Sequence, residues 1–173
     1  MKLLPAFLLC ASALLAADAP RRAPGFSLPD VRFNQHDLAE NRGKIVILDF
    51  VQTNCPACIK LTGVVEQLKA KYGGQVVTMS IVNPPDNLTT VGQFISTYKV
   101  TGPVLFDCGQ ATASYVLIRP DRPTVHFPHV FIIDQDGSIR YHASSDGNPA
   151  ELEAPALGAA VEGLLQRGQS QKK

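Results

Sequence analysis

Ile45-Val46-Ile47-Leu48-Asp49-Phe50-Val51-Gln52-Thr53-Asn54-Cys55-Pro56-Ala57-Cys58 is the stretch whose reading decides the fold. It opens as a nearly unbroken β-forming run, the composition of a strand covered on both faces. From Cys58 the period changes. Leu61, Val64, Val65, Leu68 and Tyr72 recur at helical spacing until Gly73-Gly74 stop them, and Gly63 weakens that helix without cancelling the pattern. A buried strand thus runs into an amphipathic helix, and Cys55 and Cys58 sit at the junction.

Working outward, Val76-Val77-Thr78-Met79-Ser80-Ile81-Val82 is a second apolar strand, ended by Asn83-Pro84-Pro85-Asp86. Residues 88–98 can form a further helix, and Val104-Leu105-Phe106 a short strand. Val130-Phe131-Ile132-Ile133-Asp134 and Ser138-Ile139-Arg140-Tyr141-His142 flank Gln135-Asp136-Gly137, and Asp-Gly between two β runs signals a hairpin. Leu157, Ala160, Val161 and Leu164 give a closing amphipathic helix, with Pro155 suited to its first turn. The order predicts an α/β fold: a central mixed β-sheet with helices on both faces.

The first residues tell a different story. Lys2 precedes an apolar run from Leu3 to Leu15 that ends in Ala16-Ala17, the pattern of a secretory signal peptide over residues 1–19. The run is shorter than the roughly 20 residues of a membrane-spanning helix, and Pro5 interrupts it. Cys10 raises a second possibility, a lipid attachment point, though the residue before a lipidated cysteine is normally small and here it is Leu9. Retained, the segment would tether the domain to a membrane; cleaved, it leaves an exported, periplasmic or otherwise extracytoplasmic protein. Residues 20–167 then form one domain of ordinary size, followed by a polar, flexible tail over 168–173. With 16 basic and 15 acidic residues, nothing recruits the chain to nucleic acid or to an anionic membrane surface.

Once Cys10 leaves with the signal peptide, Cys55, Cys58 and Cys108 are left, an odd set that does not describe a disulfide framework. A bridge between Cys55 and Cys58 closes too small a loop to stabilise much. The pair reads as chemical. At a helix start, unpaired amides and the positive end of the dipole favour the thiolate of Cys55, the nucleophile of disulfide exchange. Cys58, one turn on, can attack the resulting mixed disulfide. Pro56 suits the first helical position, where a missing amide costs nothing. A zinc site would need further ligands nearby, and haem attachment would need histidine where Ile59 stands. No metal and no organic cofactor are expected.

The segment 49–58 resembles the active site of the thioredoxin superfamily, and within it the exported TlpA/ResA-like thiol–disulfide oxidoreductases, which overlap the redoxin or AhpC-TSA group. Ala23-Pro24-Gly25-Phe26-Ser27-Leu28-Pro29-Asp30 resembles that group's opening, and Phe127-Pro128-His129-Val130 its cis-proline segment. The resemblance covers about residues 23–165. It implies a thioredoxin-like fold, Cys55 as attacking and Cys58 as resolving cysteine, and Pro128 as a cis-proline facing the pair. Phe127 would offer its backbone to an extended substrate, with Pro56 and Ala57 completing the contact surface. It further implies a monomer exchanging disulfides with protein thiols, served by a membrane-borne electron donor or oxidant. Likeness to TlpA/ResA rather than to DsbA, with its helical insertion, favours a reductase.

Asp49 interrupts an apolar strand six residues before Cys55, where an ionised carboxylate is costly to bury. It reads either as a proton acceptor of raised pKa that helps deprotonate Cys58, as the acidic residue of thioredoxins implies, or as a strand-end aspartate bonded to amides. Cys108, at a strand-to-helix turn, is either a buried small residue or a third redox thiol. His126 and His129 flank Phe127-Pro128 and are expected at the surface or lining the substrate groove, not on a metal. Asn87-Leu88-Thr89 is a glycosylation sequon. A peroxiredoxin-like thiol peroxidase is the chief alternative, with Arg119 or Arg122 facing the peroxide. Against it, Thr53 stands two positions before Cys55 instead of three, and no proline occurs between Asp49 and Asn54. A copper or cytochrome-maturation chaperone that uses the pair for binding is the non-enzymatic alternative.

Overall fold

The computed structural model describes residues 21–121 and 123–170. The expected signal peptide with Cys10, Arg122 and the last three residues of the tail lie outside the described residues. In chain order the elements are β1 (Arg21–Arg22), β2 (Ser27–Pro29), β3 (Gln35–Asp37), β4 (Ile45–Val51), α1 (Pro56–Tyr72), β5 (Val76–Val82), α2 (Leu88–Tyr98), β6 (Val104–Phe106), α3 (Gln110–Val116), β7 (His129–Ile133), β8 (Ser138–Ser144) and α4 (Ala154–Ser170). Six strands form one sheet in the order β1-β8-β7-β4-β5-β6, and β2 and β3 form a small hairpin of their own. β4, β5 and β6 run parallel, joined by the crossovers α1 and α2, while β7, β8 and β1 add antiparallel pairings.

Burial of every residue of β4 follows from its place in the sheet. On one face Ile45 and Ile47, with Val130 and Ile132 of β7, pack against Leu61, Val65 and Leu68 of α1 and Leu157, Val161 and Leu164 of α4. On the other face Val46, Leu48, Phe50 and Phe131 meet Tyr115 of α3 and Ala23 and Leu38 of the N-terminal segment. The ring of Tyr115 lies 5.3 Å from Phe50 and 5.2 Å from Phe131, centroid to centroid. Its hydroxyl donates to the Pro24 carbonyl at 2.9 Å, tying the N-terminal segment to the sheet. At the β7–β8 turn, Gly137 takes a positive φ of 79°, while the Asp134 carboxylate accepts from the amides of Asp136 and Ser138.

The mixed sheet with helices on both faces is the expected architecture. Several details differ. α1 begins at Pro56, because its capping residue is Cys55. β8 runs on to Ser144, past a register shift opposite Ile132 and Ile133. α4 continues to Ser170, so the stretch expected as tail from residue 168 is helical that far; Gly168 lets the helix approach the Gln135 side chain. β1 and the β2–β3 hairpin went unforeseen because their two or three residues lack the apolar run that marks β6, and α3 was foreseen only as the helix that follows the Cys108 turn. Among the described residues, no helix is long and apolar enough to cross a membrane.

The aromatic cluster gives a direct test of the packing. Phe131→Ala is expected to lower the unfolding free energy by about 3–5 kcal/mol, and Tyr115→Phe, which loses only the bond to Pro24, by about 1 kcal/mol. Urea denaturation followed by circular dichroism measures both.

Candidate active site

The parallel strands β4, β5 and β6 deliver their C-terminal ends to one edge of the sheet, and the cysteine pair lies in the loop that leaves β4 there. Cys55 is the N-cap of α1, with extended backbone angles of φ −94° and ψ 117°. Its sulfur takes the role usually filled by a serine or aspartate oxygen, accepting the Cys58 amide at 3.2 Å. Pro56 follows in the first turn, where no amide donor is needed. A negative charge on Cys55 therefore meets both a hydrogen-bond donor and the positive end of a helix of 17 residues.

The two sulfurs occupy different surroundings. Both are free thiols, Cys55 partly exposed and Cys58 fully buried. Burial, then the hydrogen bond with Cys55 and the charges of Cys55 and Asp49, push the Cys58 thiol far above the ordinary range. The Phe127–Pro128 peptide is cis, and the Phe127 carbonyl lies 3.9 Å from the Cys55 sulfur, at the long limit for a thiol hydrogen bond. This segment is braced from behind. The Ser145 amide donates to the Pro128 carbonyl at 3.0 Å, and its hydroxyl donates to the His126 carbonyl at 3.0 Å. Pro56 and Ala57 are exposed beside the pair. Cys55, Cys58, Phe127 and Pro128 are thus drawn together.

Asp49 is completely buried in the interior of β4, on the face that α1 covers. Desolvation is the main cause that raises its pKa, to about 7, and the charge of Glu66 adds to it. It lies inside the strand, not at its end: the side chain of Ser80 on β5 donates to it, at 3.0 Å from Oδ1 and 3.1 Å from Oδ2, and a backbone hydrogen bond at Asp49 itself also lowers the cost of its charge.

Other expectations are corrected. Cys108 is exposed in the turn between β6 and α3, not buried; the buried residue there is Asp107, whose carboxylate accepts the Ala111 and Thr112 amides of α3. The turn lies two strands from β4 across the sheet. His126 is at the surface, paired with Asp146 at 2.8 Å, but His129 is buried. Its ring stacks on that of His142, which lies between it and Phe131, with Nδ1 3.1 Å from His142 Nε2, and burial holds its pKa below the usual value. Asn87, first in the sequon, caps α2 through its side chain. Arg119 is exposed. Among the described residues, no group of three or more His, Cys, Asp or Glu side chains could hold a metal ion.

Sequence reasoning passed over three residues. Asp86 accepts from the Thr53 amide at 3.1 Å, from the Thr53 hydroxyl and from the Thr90 hydroxyl at 3.1 Å, clamping the loop that carries Cys55. Ser145 braces the cis-proline segment. Ser80 had a readable signal: Asp49 and Ser80 are each the fifth residue of a seven-residue apolar run, so two parallel strands in even register set them side by side.

The profile of the AhpC/TSA family matches residues 20–142. The chain belongs to the AhpC/TSA family. Within that family it is similar to the thiol-disulfide oxidoreductase ResA of Halalkalibacterium halodurans, 31% identical over 123 residues, which are 71% of this chain and 66% of that protein. It is also 28% identical over 122 residues to the thioredoxin-like protein YneN of Bacillus subtilis, across 69% of this chain and 68% of that one. The match therefore spans about two thirds of the length of these curated relatives. A thiol:disulfide interchange protein of the thioredoxin family from Chlorobium tepidum superposes with a TM-score of 0.67 at 22% identity, covering 84% of this chain and 99% of that one. The fold of this AhpC/TSA member is thioredoxin-like.

The buried carboxyl has a thermodynamic signature. Its folded pKa of about 7 stands above the ordinary 3.8, so the folded state holds this proton more tightly than the unfolded chain does. The stability this gives is fully present below the unfolded value and is lost as pH rises through the folded one. Between pH 5 and pH 8 the reduced wild-type protein should lose about 2–3 kcal/mol more stability than Asp49→Asn, as read from urea unfolding at both pH values.

Proposed function

We propose that this chain is an exported thiol–disulfide oxidoreductase that acts on protein thiols and disulfides through Cys55 and Cys58, in the direction of reduction. The observation that carries the reading is the Cys55 sulfur at the start of α1, accepting the Cys58 amide at 3.2 Å with the Phe127 carbonyl opposite. The names of the relatives support it, and so does the TlpA/ResA-like motif. The apolar segment at the N-terminus supports export.

In the proposed cycle the Cys55 thiolate attacks one sulfur of a client disulfide. A Cys55–client disulfide forms, and the client's second sulfur leaves as a thiolate that takes a proton from solvent. Cys58 then gives its proton to Asp49, whose pKa of about 7 suits it to accept one near neutrality. The Cys58 sulfur attacks Cys55, the Cys55–Cys58 disulfide forms as the Cys55–client bond breaks, and the client sulfur departs as a thiolate that takes a proton from solvent. Two electrons have passed to the client, and the pair is oxidised. A membrane-borne electron donor would return it to the dithiol. The electrons reside on the sulfurs throughout, so the cycle needs no organic cofactor. Phe127, with its backbone beside the pair, and the exposed Pro56 and Ala57 would seat the client as an extended strand. Thr53, which in a peroxidase would serve the peroxide, spends its hydroxyl on Asp86, and this favours disulfide exchange over peroxide reduction.

Equilibration of the mature domain against glutathione or dithiothreitol tests the proposal. A reversible two-electron couple near about −270 mV, abolished by Cys55→Ser and unmoved by Cys108→Ser, is the expected result. A value near about −120 mV would make the protein an oxidant, and no couple at all would overturn the reading. Cys58→Ser is expected to accumulate a mixed disulfide through Cys55, visible on non-reducing gels. Peroxide consumption that depends on Cys55 would point to a thiol peroxidase instead.

A further inference from the structure

Parallel pairing of β4 with β5 sets Asp49 directly beside Ser80, both on the face covered by α1. Asp49 is wholly buried and Ser80 only 6% exposed, so neither relies on bulk water. The Ser80 hydroxyl oxygen lies nearly equidistant from the two carboxyl oxygens, at 3.0 and 3.1 Å. The remaining neighbours are of another kind. On β7 the residue paired with Asp49 is Val130, which brings no polar side chain. From α1 come Cys58, itself an acid, and Glu66, whose charge opposes ionisation of Asp49 and whose carboxylate is engaged by the amide and hydroxyl of Thr101. Among the described residues, no lysine, arginine or histidine forms an ion pair with Asp49.

We infer that Ser80 is a positioning residue for proton transfer at the buried cysteine: its hydroxyl orients the Asp49 carboxyl and serves it in both protonation states. The inference rests on the proposed role of Cys58 in disulfide exchange. A hydroxyl has one hydrogen to give and two lone pairs to offer. While Asp49 is ionised, Ser80 donates to the carboxylate and lowers the cost of its charge. When Asp49 takes the proton from Cys58, the new carboxyl O–H can turn to the Ser80 oxygen, which now accepts. The S–H bond breaks, the O–H bond forms, and the sulfur's electron pair goes into the bond with Cys55 as the client thiolate departs. A lysine in the place of Ser80 would favour only the anion and hold the carboxyl ionised; an alanine would serve neither state. A serine leaves the carboxyl near the midpoint of its titration, where it can both take and return a proton.

The test follows the Asp49 carboxyl itself by carbon-13 NMR in the reduced protein, alongside the pH profile for release of a preformed Cys55 mixed disulfide. Ser80→Ala should move the Asp49 titration upward by about one pH unit, a tenfold change in the ratio of ionised to protonated form, and move the release profile with it. Ser80→Thr, which keeps a hydroxyl, should return both to the wild-type position. In an Asp49→Asn background, Ser80→Ala should move the release profile no further. An unchanged Asp49 titration in Ser80→Ala, or a profile shift that persists in the Asp49→Asn background, would overturn the inference. If the wild-type protein exchanged no disulfides, the oxidoreductase reading would fall, and the Asp49 titration alone would decide whether Ser80 governs this carboxyl.

Discussion

The cost of charge beneath the cysteine pair is the constraint on which the rest of the site depends. Asp49 and Cys58 are both without solvent exposure, both acids, and both facing the seam between β4 and α1. The charge of Asp49 raises the cost of ionising Cys58, that of Glu66 the cost of ionising Asp49, and burial raises it for both. Two anions there would be untenable, one is tolerable, and a single proton moving between them changes the net charge not at all. Cys55, by contrast, sits at the rim with a backbone amide aimed at its sulfur. The two sulfurs thus differ in surroundings: the outer one is partly exposed and accepts a backbone amide, whereas the inner one is buried and its thiol is pushed well above the usual range.

Such an arrangement needs a frame that does not relax around it, and the fold supplies one. Because three parallel strands end together, a single sheet edge receives the active-site loop, the Pro84–Asp86 turn and the turn before α3. Asp86 then ties the first two to each other by taking both the amide and the hydroxyl of Thr53. On the other side of β4, antiparallel β7 begins with the cis-proline segment, which Ser145 holds in place by backbone and hydroxyl bonds. The cysteine loop and the segment facing it are thus each fastened to a strand of the same rigid sheet, which is what holds a reacting sulfur in position to within a fraction of an ångström.

Much of this was legible in the chain, for reasons that differ from residue to residue. Long elements announced themselves: a seven-residue apolar run and a 17-residue helix repeat their period often enough to be read. Asp49 stood out because a carboxylate in an apolar strand is anomalous. Ser80 did not, since serine in a strand attracts no notice until strand register places it beside an acid. Pro128 could be assigned a role only by resemblance, as nothing local distinguishes it from any proline that opens a strand. His129 and Cys108 misled in opposite directions. A histidine beside the active-site segment invites a surface role, yet strand alternation turns it inward onto Phe131. A lone cysteine invites burial, yet the residue before it, Asp107, is the one turned inward to hold α3. Side-chain direction at strand ends depends on pairing partners far away in sequence, and those are what single-sequence reading lacks.

Separation of the two sulfurs also bears on the direction of electron flow. A dithiol becomes oxidising when its reduced form is strongly stabilised, which in practice means a thiolate surrounded by several favourable groups. Here the stabilisation is concentrated on one sulfur and is of ordinary size: one amide at 3.2 Å and the start of a helix. The other sulfur is pushed the opposite way by burial and by the neighbouring carboxyl. This asymmetry supports the proposed direction, donation of electrons to a client, over that of a dedicated oxidant. In the proposed cycle Asp49 would then be the more consequential control, because the buried Cys58 must lose its proton before it can attack Cys55.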